Sequence, residues 1–142
     1  MLVQRMTGLV VCVVVLALTS AYGLVQRRRN GRVRVRVRDE GKRLTAAELG
    51  GELGERATLV QFSSAFCAPC RATRRVLGEV AGLVPGVTHL EIDAEAHLDL
   101  VRALDILKTP TVLVLDADGR VVRRATGQPR KADVIAALGE AV

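Results

Sequence analysis

Hydrophobic and polar positions alternate along this chain in two different periods, and the change between them predicts its elements. The first stretch has neither period. Thr7 to Val25 is an unbroken apolar run without a charged residue. At 1.5 Å rise per residue, nineteen helical residues reach roughly 28 Å, close to the ~30 Å hydrocarbon core of a bilayer. Tyr22 stands near its end, where an interfacial aromatic belongs.

After a polar, basic link come Arg32-Val33-Arg34-Val35-Arg36-Val37-Arg38, which alternate strictly. Period two puts the valines on one face of a strand. Protruding arginines make it an edge strand, and the competing reading is a disordered basic tail lying on anionic lipid. Thr45-Ala46-Ala47-Glu48 has the form of a capping box and opens a short helix, Ala46 to about Leu53, weakened by Gly50 and Gly51. Thr58 to Phe62 reads as a buried strand. From Ala68 to Leu83 the period becomes helical, with Val76, Leu77, Val80 and Ala81 recurring before Pro85-Gly86.

Val87 to Ile92 is the next strand, and Leu98 to Leu104 a helix with Leu98, Val101 and Leu104 turned inward. Thr111 to Leu115 and Arg120 to Ala125 are strands joined by Asp116-Ala117-Asp118-Gly119, a hairpin turn. A helix from Ala132 to Ala141 closes the chain, with Val134, Ile135 and Leu138 facing inward. The order βαβαβαββα, a parallel start and an antiparallel finish, predicts an α/β fold with a mixed central sheet and helices on both faces. The expected organisation is an N-terminal transmembrane anchor and basic linker over residues 1–31, then one domain over residues 32–142.

Composition refines this picture. Apolar residues are 49 % of the 142 but aromatics only 2 %, so the core is aliphatic. The net charge of +6 would suggest nucleic acid, but its location argues otherwise. Ten of the 21 Lys and Arg, against two of the 15 acidic residues, lie before residue 44. The globular part is slightly acidic and lacks a nucleic-acid binder's basic face.

The same asymmetry bears on the apolar run. A cleavable signal peptide is the rival reading, but Thr19-Ser20-Ala21 is a poor cleavage site, and seven arginines follow between Arg27 and Arg38. Exporting them opposes the positive-inside bias, so the expectation is a retained single-pass anchor with the domain in the cytoplasm. An exported domain is the alternative.

Three cysteines are present: Cys12 within the apolar run, and the pair Cys67-Ala68-Pro69-Cys70. One C-x-x-C supplies too few ligands for structural zinc, and His89 and His97 stand at no zinc-finger spacing from it. Packed or surface roles are expected for both histidines, and a cap or turn role for Asp93. No metal or cofactor is expected.

The pair falls between a buried strand and the first turn of a helix. Free N–H groups and the helix dipole there stabilise a thiolate at Cys67. Cys70, one turn on, is placed to attack a mixed disulfide formed by Cys67. Pro69 sits where its missing N–H costs little. Arg71, Arg74 and Arg75 add positive potential or are simply a solvated face.

Residues from about Val33 to Val142 resemble the thioredoxin family. The resemblance rests on Leu59-Val60-Gln61-Phe62 leading into Cys67-Ala68-Pro69-Cys70, on Lys108-Thr109-Pro110-Thr111 opening a strand, and on Asp116-Ala117-Asp118-Gly119-Arg120. It implies a thioredoxin fold and protein thiol–disulfide exchange, with Cys67 and Cys70 as the redox disulfide. It further implies a cis Pro110 against the dithiol and a substrate surface that includes Phe66, Pro69, Thr109 and Pro110, Thr109 offering backbone groups. Implied partners are disulfide-containing proteins and a thiol electron donor, with the chain a monomer.

Two departures stand out. Phe66 replaces the family's Trp, and Gln61 replaces its buried carboxylate, which removes a proton acceptor near Cys70. A specialised partner range is therefore expected. The expected activity is reduction of membrane or membrane-proximal proteins. On the outer side it would instead be maturation of envelope proteins or cytochromes. Two other classes remain at this stage: a module holding a soft metal ion through two thiolates, and a redox-inactive tethered scaffold.

Overall fold

The computed structural model describes residues 1–29, 33–34 and 41–142. Helix α1 spans Leu2–Arg29 and ends on Arg27, Arg28 and Arg29. Its segment Met6–Arg29 is long and apolar enough to cross a membrane, a property that signal sequences near an N-terminus share. Its described side chains are exposed.

A five-stranded mixed sheet follows in the order β1-β5-β4-β2-β3. Its members are β1 (Val33–Arg34), β2 (Ala57–Ser63), β3 (Val87–Asp93), β4 (Thr111–Asp116) and β5 (Val121–Thr126). β2 and β3 run parallel, joined through α3 (Ala68–Leu83); every other pairing is antiparallel. The remaining helices are α2 (Ala46–Leu49), α4 (Leu98–Ala103) and α5 (Lys131–Ala141).

The alternating Arg–Val segment appears as the edge strand β1, with Val33 opposite Ala125 and Arg34 opposite Arg124. Its continuation over 35–38 lies outside the described residues. The chain meets the same edge again at Arg43, opposite Arg120, where Leu44 N–H donates to Gly119 O and Val121 N–H to Lys42 O.

β2 is buried along its whole length, as expected of a strand covered on both faces. Side chains at 57 and 59, with Val112 and Val114 of β4, pack under Leu77 and Val80 of α3 and Val134, Ala137 and Leu138 of α5. Those at 60 and 62, with Leu113 and Leu115, meet Leu49 of α2 and Leu104 and Ile106 beyond α4 on the opposite face. Each fully buried Leu contributes about 1.5–3 kcal/mol through removal from water. The buried strands β2 and β4 thus contribute to two cores, one on each side of the sheet.

Three local expectations are corrected. α2 stops at Leu49, because Gly50 takes the left-handed conformation (φ 69°) and caps it; the capping box at Thr45 and Glu48 forms as expected. Leu98 is 52 % exposed, since α4 is one and a half turns long: Val101 and Leu104 pack inward as expected, and Leu100 takes the place given to Leu98. Ile135 is 47 % exposed, and Ala137 takes the inward place beside Val134 and Leu138. In a helix that short, neighbouring positions compete for one narrow stripe, and sequence alone does not rank them.

The turn between β4 and β5 forms where expected, with Gly119 at φ 80°. A side chain there would place its Cβ 2.2 Å from the Leu44 carbonyl oxygen, so glycine is required by contact as well as by φ.

Candidate active site

The two cysteines meet where β2 hands over to α3. Cys67 is the helix N-cap, in extended conformation (φ −94°, ψ 98°), and Pro69 occupies the first turn. The Cys70 backbone N–H donates to Cys67 Sγ at 3.2 Å, so the sulfur takes the place of a capping oxygen. The two sulfurs are joined as a disulfide, S–S 2.09 Å with 5.2 Å between Cα atoms. Cys70 is 2 % exposed and Cys67 half-buried, so only the first sulfur is open to a partner.

Phe66, immediately before, is fully exposed and holds φ at +57°. A bulky residue in that left-handed region stores backbone strain, and its ring stands clear of the other described residues. Across the site the Thr109–Pro110 bond is cis, as the resemblance implied. Pro69, Thr109 and Pro110 line one open cleft of about 1030 Å³ whose other walls include Val76 and Pro129 and, from α1, Leu24, Arg27 and Arg28. The four expected substrate-contact residues are therefore arranged as three in the cleft and one standing proud beside Cys67.

Thr109 contributes more than its backbone. Its hydroxyl lies 2.7 Å from Ser64 Oγ and donates to Cys67 Sγ at 3.9 Å. Each hydroxyl has one proton, so the consistent arrangement is Ser64 donating to Thr109 and Thr109 donating to the sulfur. The signal was present in the hydroxyl-bearing residues at 64 and 109, but these contacts join positions 45 (Ser64–Thr109) and 42 (Cys67–Thr109) apart.

Beneath the dithiol Gln61 is fully buried with every amide group engaged. Its Nε2 donates to the Cys70 carbonyl at 2.8 Å and to Ser63 Oγ at 2.9 Å, and its Oε1 lies 3.1 Å from His89 Nε2. Burial pushes the His89 pKa below its ordinary value, with Glu91 opposing and Arg74 adding to the shift. Arg74 of α3 forms two 2.5 Å bonds to Glu91. That contact holds the Glu91 carboxyl below its usual range and raises the Arg74 guanidinium.

Of the three arginines after the pair, Arg74 is thus an ion-pair partner, while Arg71 and Arg75 are exposed. His97 is exposed, its Nδ1 3.0 Å from the Asp93 carbonyl, and Asp93 serves the turn by accepting the Glu95 N–H. Arg124 was missed by the sequence reading. It is 4 % exposed and donates to the Leu104 carbonyl at 2.7 Å, holding the turn that leads to Pro110. Among the described residues no group of three or more His, Cys, Asp or Glu is placed to hold a metal.

Comparison with known proteins agrees with this geometry. The family model described as Thioredoxin matches residues 42–140. A thioredoxin of Mycolicibacterium smegmatis is 31 % identical over 87 residues, 59 % of this chain and 77 % of that protein. Thioredoxin H4-1 of Oryza sativa subsp. japonica is 32 % identical over 84 residues, 58 % of this chain and 63 % of its own length. Among solved structures, chloroplastic thioredoxin z superposes with a TM-score of 0.58 at 23 % identity, covering 70 % of this chain and 91 % of that one. An exposed half of a helix-capping disulfide beside a cis-proline cleft, in a chain so matched, leaves one conclusion: the chain belongs to the thioredoxin family and is a thiol–disulfide oxidoreductase.

Proposed function

We propose that this chain is a membrane-anchored protein-disulfide reductase in which Cys67 attacks and Cys70 resolves. The observation that carries the assignment is the asymmetry of the pair. Cys67 Sγ receives a helix N-terminal N–H and is accessible, whereas Cys70 is buried. An N–H aimed at the sulfur stabilises a thiolate more than a thiol.

In the reduced chain, Cys67 thiolate attacks a substrate disulfide; one substrate sulfur leaves as a thiolate, which takes up a proton. Cys70 then loses its proton and attacks Cys67 Sγ. The second substrate sulfur departs, two electrons have passed to the substrate, and the chain holds its own disulfide. A thiol donor restores the dithiol. Phe66, Pro69, Thr109 and Pro110 would contact the substrate strand, and no cofactor takes part. We assign residues 1–31 to the anchor and its linker and residues 32–142 to the domain, acting as a monomer.

The trap experiment tests the roles. Cys70→Ser should accumulate mixed disulfides with partner proteins, and Cys67→Ser should not; equal trapping through Cys70 would reverse the assignment. For topology, Arg27, Arg28 and Arg29 at the end of α1 favour a cytoplasmic domain. A membrane-impermeant thiol reagent applied to intact cells after reduction should leave Cys67 unlabelled until lysis. Labelling from outside would make the chain an extracytoplasmic redox protein of the envelope.

A further inference from the structure

Resting on that reading, the buried polar group beneath the dithiol carries one more step. The Cys70 carbonyl can only accept, so the Gln61 amide must turn its Nε2 toward it and its Oε1 toward His89. That orientation fixes the imidazole as the Nε2–H tautomer and leaves Nδ1 as its basic atom. His89 can therefore gain a proton at Nδ1 without losing its bond to Gln61.

The remaining groups facing His89 come from three elements. They are Arg74 on α3, Glu91 on β3 itself and the uncharged Gln61 on β2, with Ser63 bonded to Gln61 and Glu91. Arg74 and Glu91 neutralise each other through two hydrogen bonds. Between pH 5 and about 7 neither changes charge, so His89 is the one group here placed to titrate.

We propose that His89 is a positioning residue that makes the Cys67–Cys70 exchange pH-sensitive, acting through Gln61. The cationic imidazole strengthens its bond to Oε1, polarises the amide that grips Cys70 from below, and adds positive potential behind the dithiol. A thiolate is present at Cys67 only in the reduced chain, so this charge favours the reduced state. By reciprocity the reduced chain binds the His89 proton more tightly than the oxidised chain does. Gln61 cannot itself take a proton as the family's carboxylate does. The acid–base function at this place has moved one side chain outward, to an atom nearer solvent.

Two measurements on the full chain in detergent micelles test this. In a His97→Gln background His89 is the remaining imidazole, and its NMR titration is followed in the oxidised and the reduced protein. The midpoint is expected to be higher in the reduced protein; identical midpoints would overturn the inference without any change at residue 89. The second is the equilibrium in which two glutathione molecules reduce the chain's disulfide and become one glutathione disulfide. It is compared between the wild type and His89→Gln from pH 5 to 8. The ratio of the two constants should be flat above pH 7. Below it, where imidazolium and Cys67 thiolate coexist, the ratio should shift three- to tenfold toward the reduced wild type, about the effect of a partly screened charge acting across one side chain. Tenfold corresponds to about 30 mV. A flat ratio in proteins that both exchange refutes the role of His89 and leaves the oxidoreductase reading intact. A wild type that does not exchange with glutathione at all removes that reading, and this inference with it.

Discussion

Replacing Thr109 by valine removes one hydroxyl from beside Cys67 and almost nothing else, because the two side chains share shape and branching. In the structure that hydroxyl is 3.9 Å from Cys67 Sγ and 2.7 Å from Ser64 Oγ. A hydrogen bond to a charged acceptor contributes about 1.5–3 kcal/mol. A contact near the outer limit for sulfur is worth less, so about 1 kcal/mol is a fair figure. Divided by 1.36 kcal/mol per pH unit, this moves thiolate formation at Cys67 up by about 0.7 unit. On the acid side of the Cys67 transition, where thiol dominates, the thiolate fraction, and with it the rate of alkylation, should fall about fivefold.

The assay is iodoacetamide modification of the reduced chain as a function of pH, in a Cys12→Ser background so that α1 contributes no signal. Cys70 is 2 % exposed and reacts too slowly to interfere. Thr109→Ser, which keeps the hydroxyl, should stay close to wild type. Coincident pH profiles for all three proteins would refute the reasoning, and would mean that the N–H of Cys70 alone governs the sulfur.

Three further outcomes are expected. Leu77→Ala, at a fully buried position between α3 and the sheet, should cost about 2–5 kcal/mol in denaturant titrations, with the fold retained. Phe66→Ala should change stability by less than about 0.5 kcal/mol, because the ring touches no core, yet raise KM for a protein disulfide while sparing a small one. The oxidised chain should lose stability as pH falls below 6.5, the ordinary histidine value. The folded His89 pKa is depressed, so the unfolded chain binds the proton first; the loss continues until the folded pKa is passed, and His89→Gln should flatten it in thermal scans.

Much of the architecture was legible because strands and helices declare themselves by period. β2 and β4 carry alternate cores on two faces, and α3 begins and ends at the residues its pattern marked. The cysteine pair was equally legible, since a thiol at a strand-to-helix junction inherits the helix N-terminus from local geometry alone. Even the capping box at Thr45 is a contact across three residues.

What escaped the sequence is what joins distant positions. Nothing in the spacing says that His89 of β3 reaches Gln61, or that Thr109 reaches Ser64 and Cys67. Those bonds depend on strand order and register, which pair β2 with β3 on one side and with β4 on the other. The inward choice of Leu100 over Leu98, and of Ala137 over Ile135, was likewise settled by packing. Local propensity and periodicity act over a few residues and so survive in the sequence; hydrogen bonds between side chains tens of residues apart form only once the sheet has chosen its neighbours.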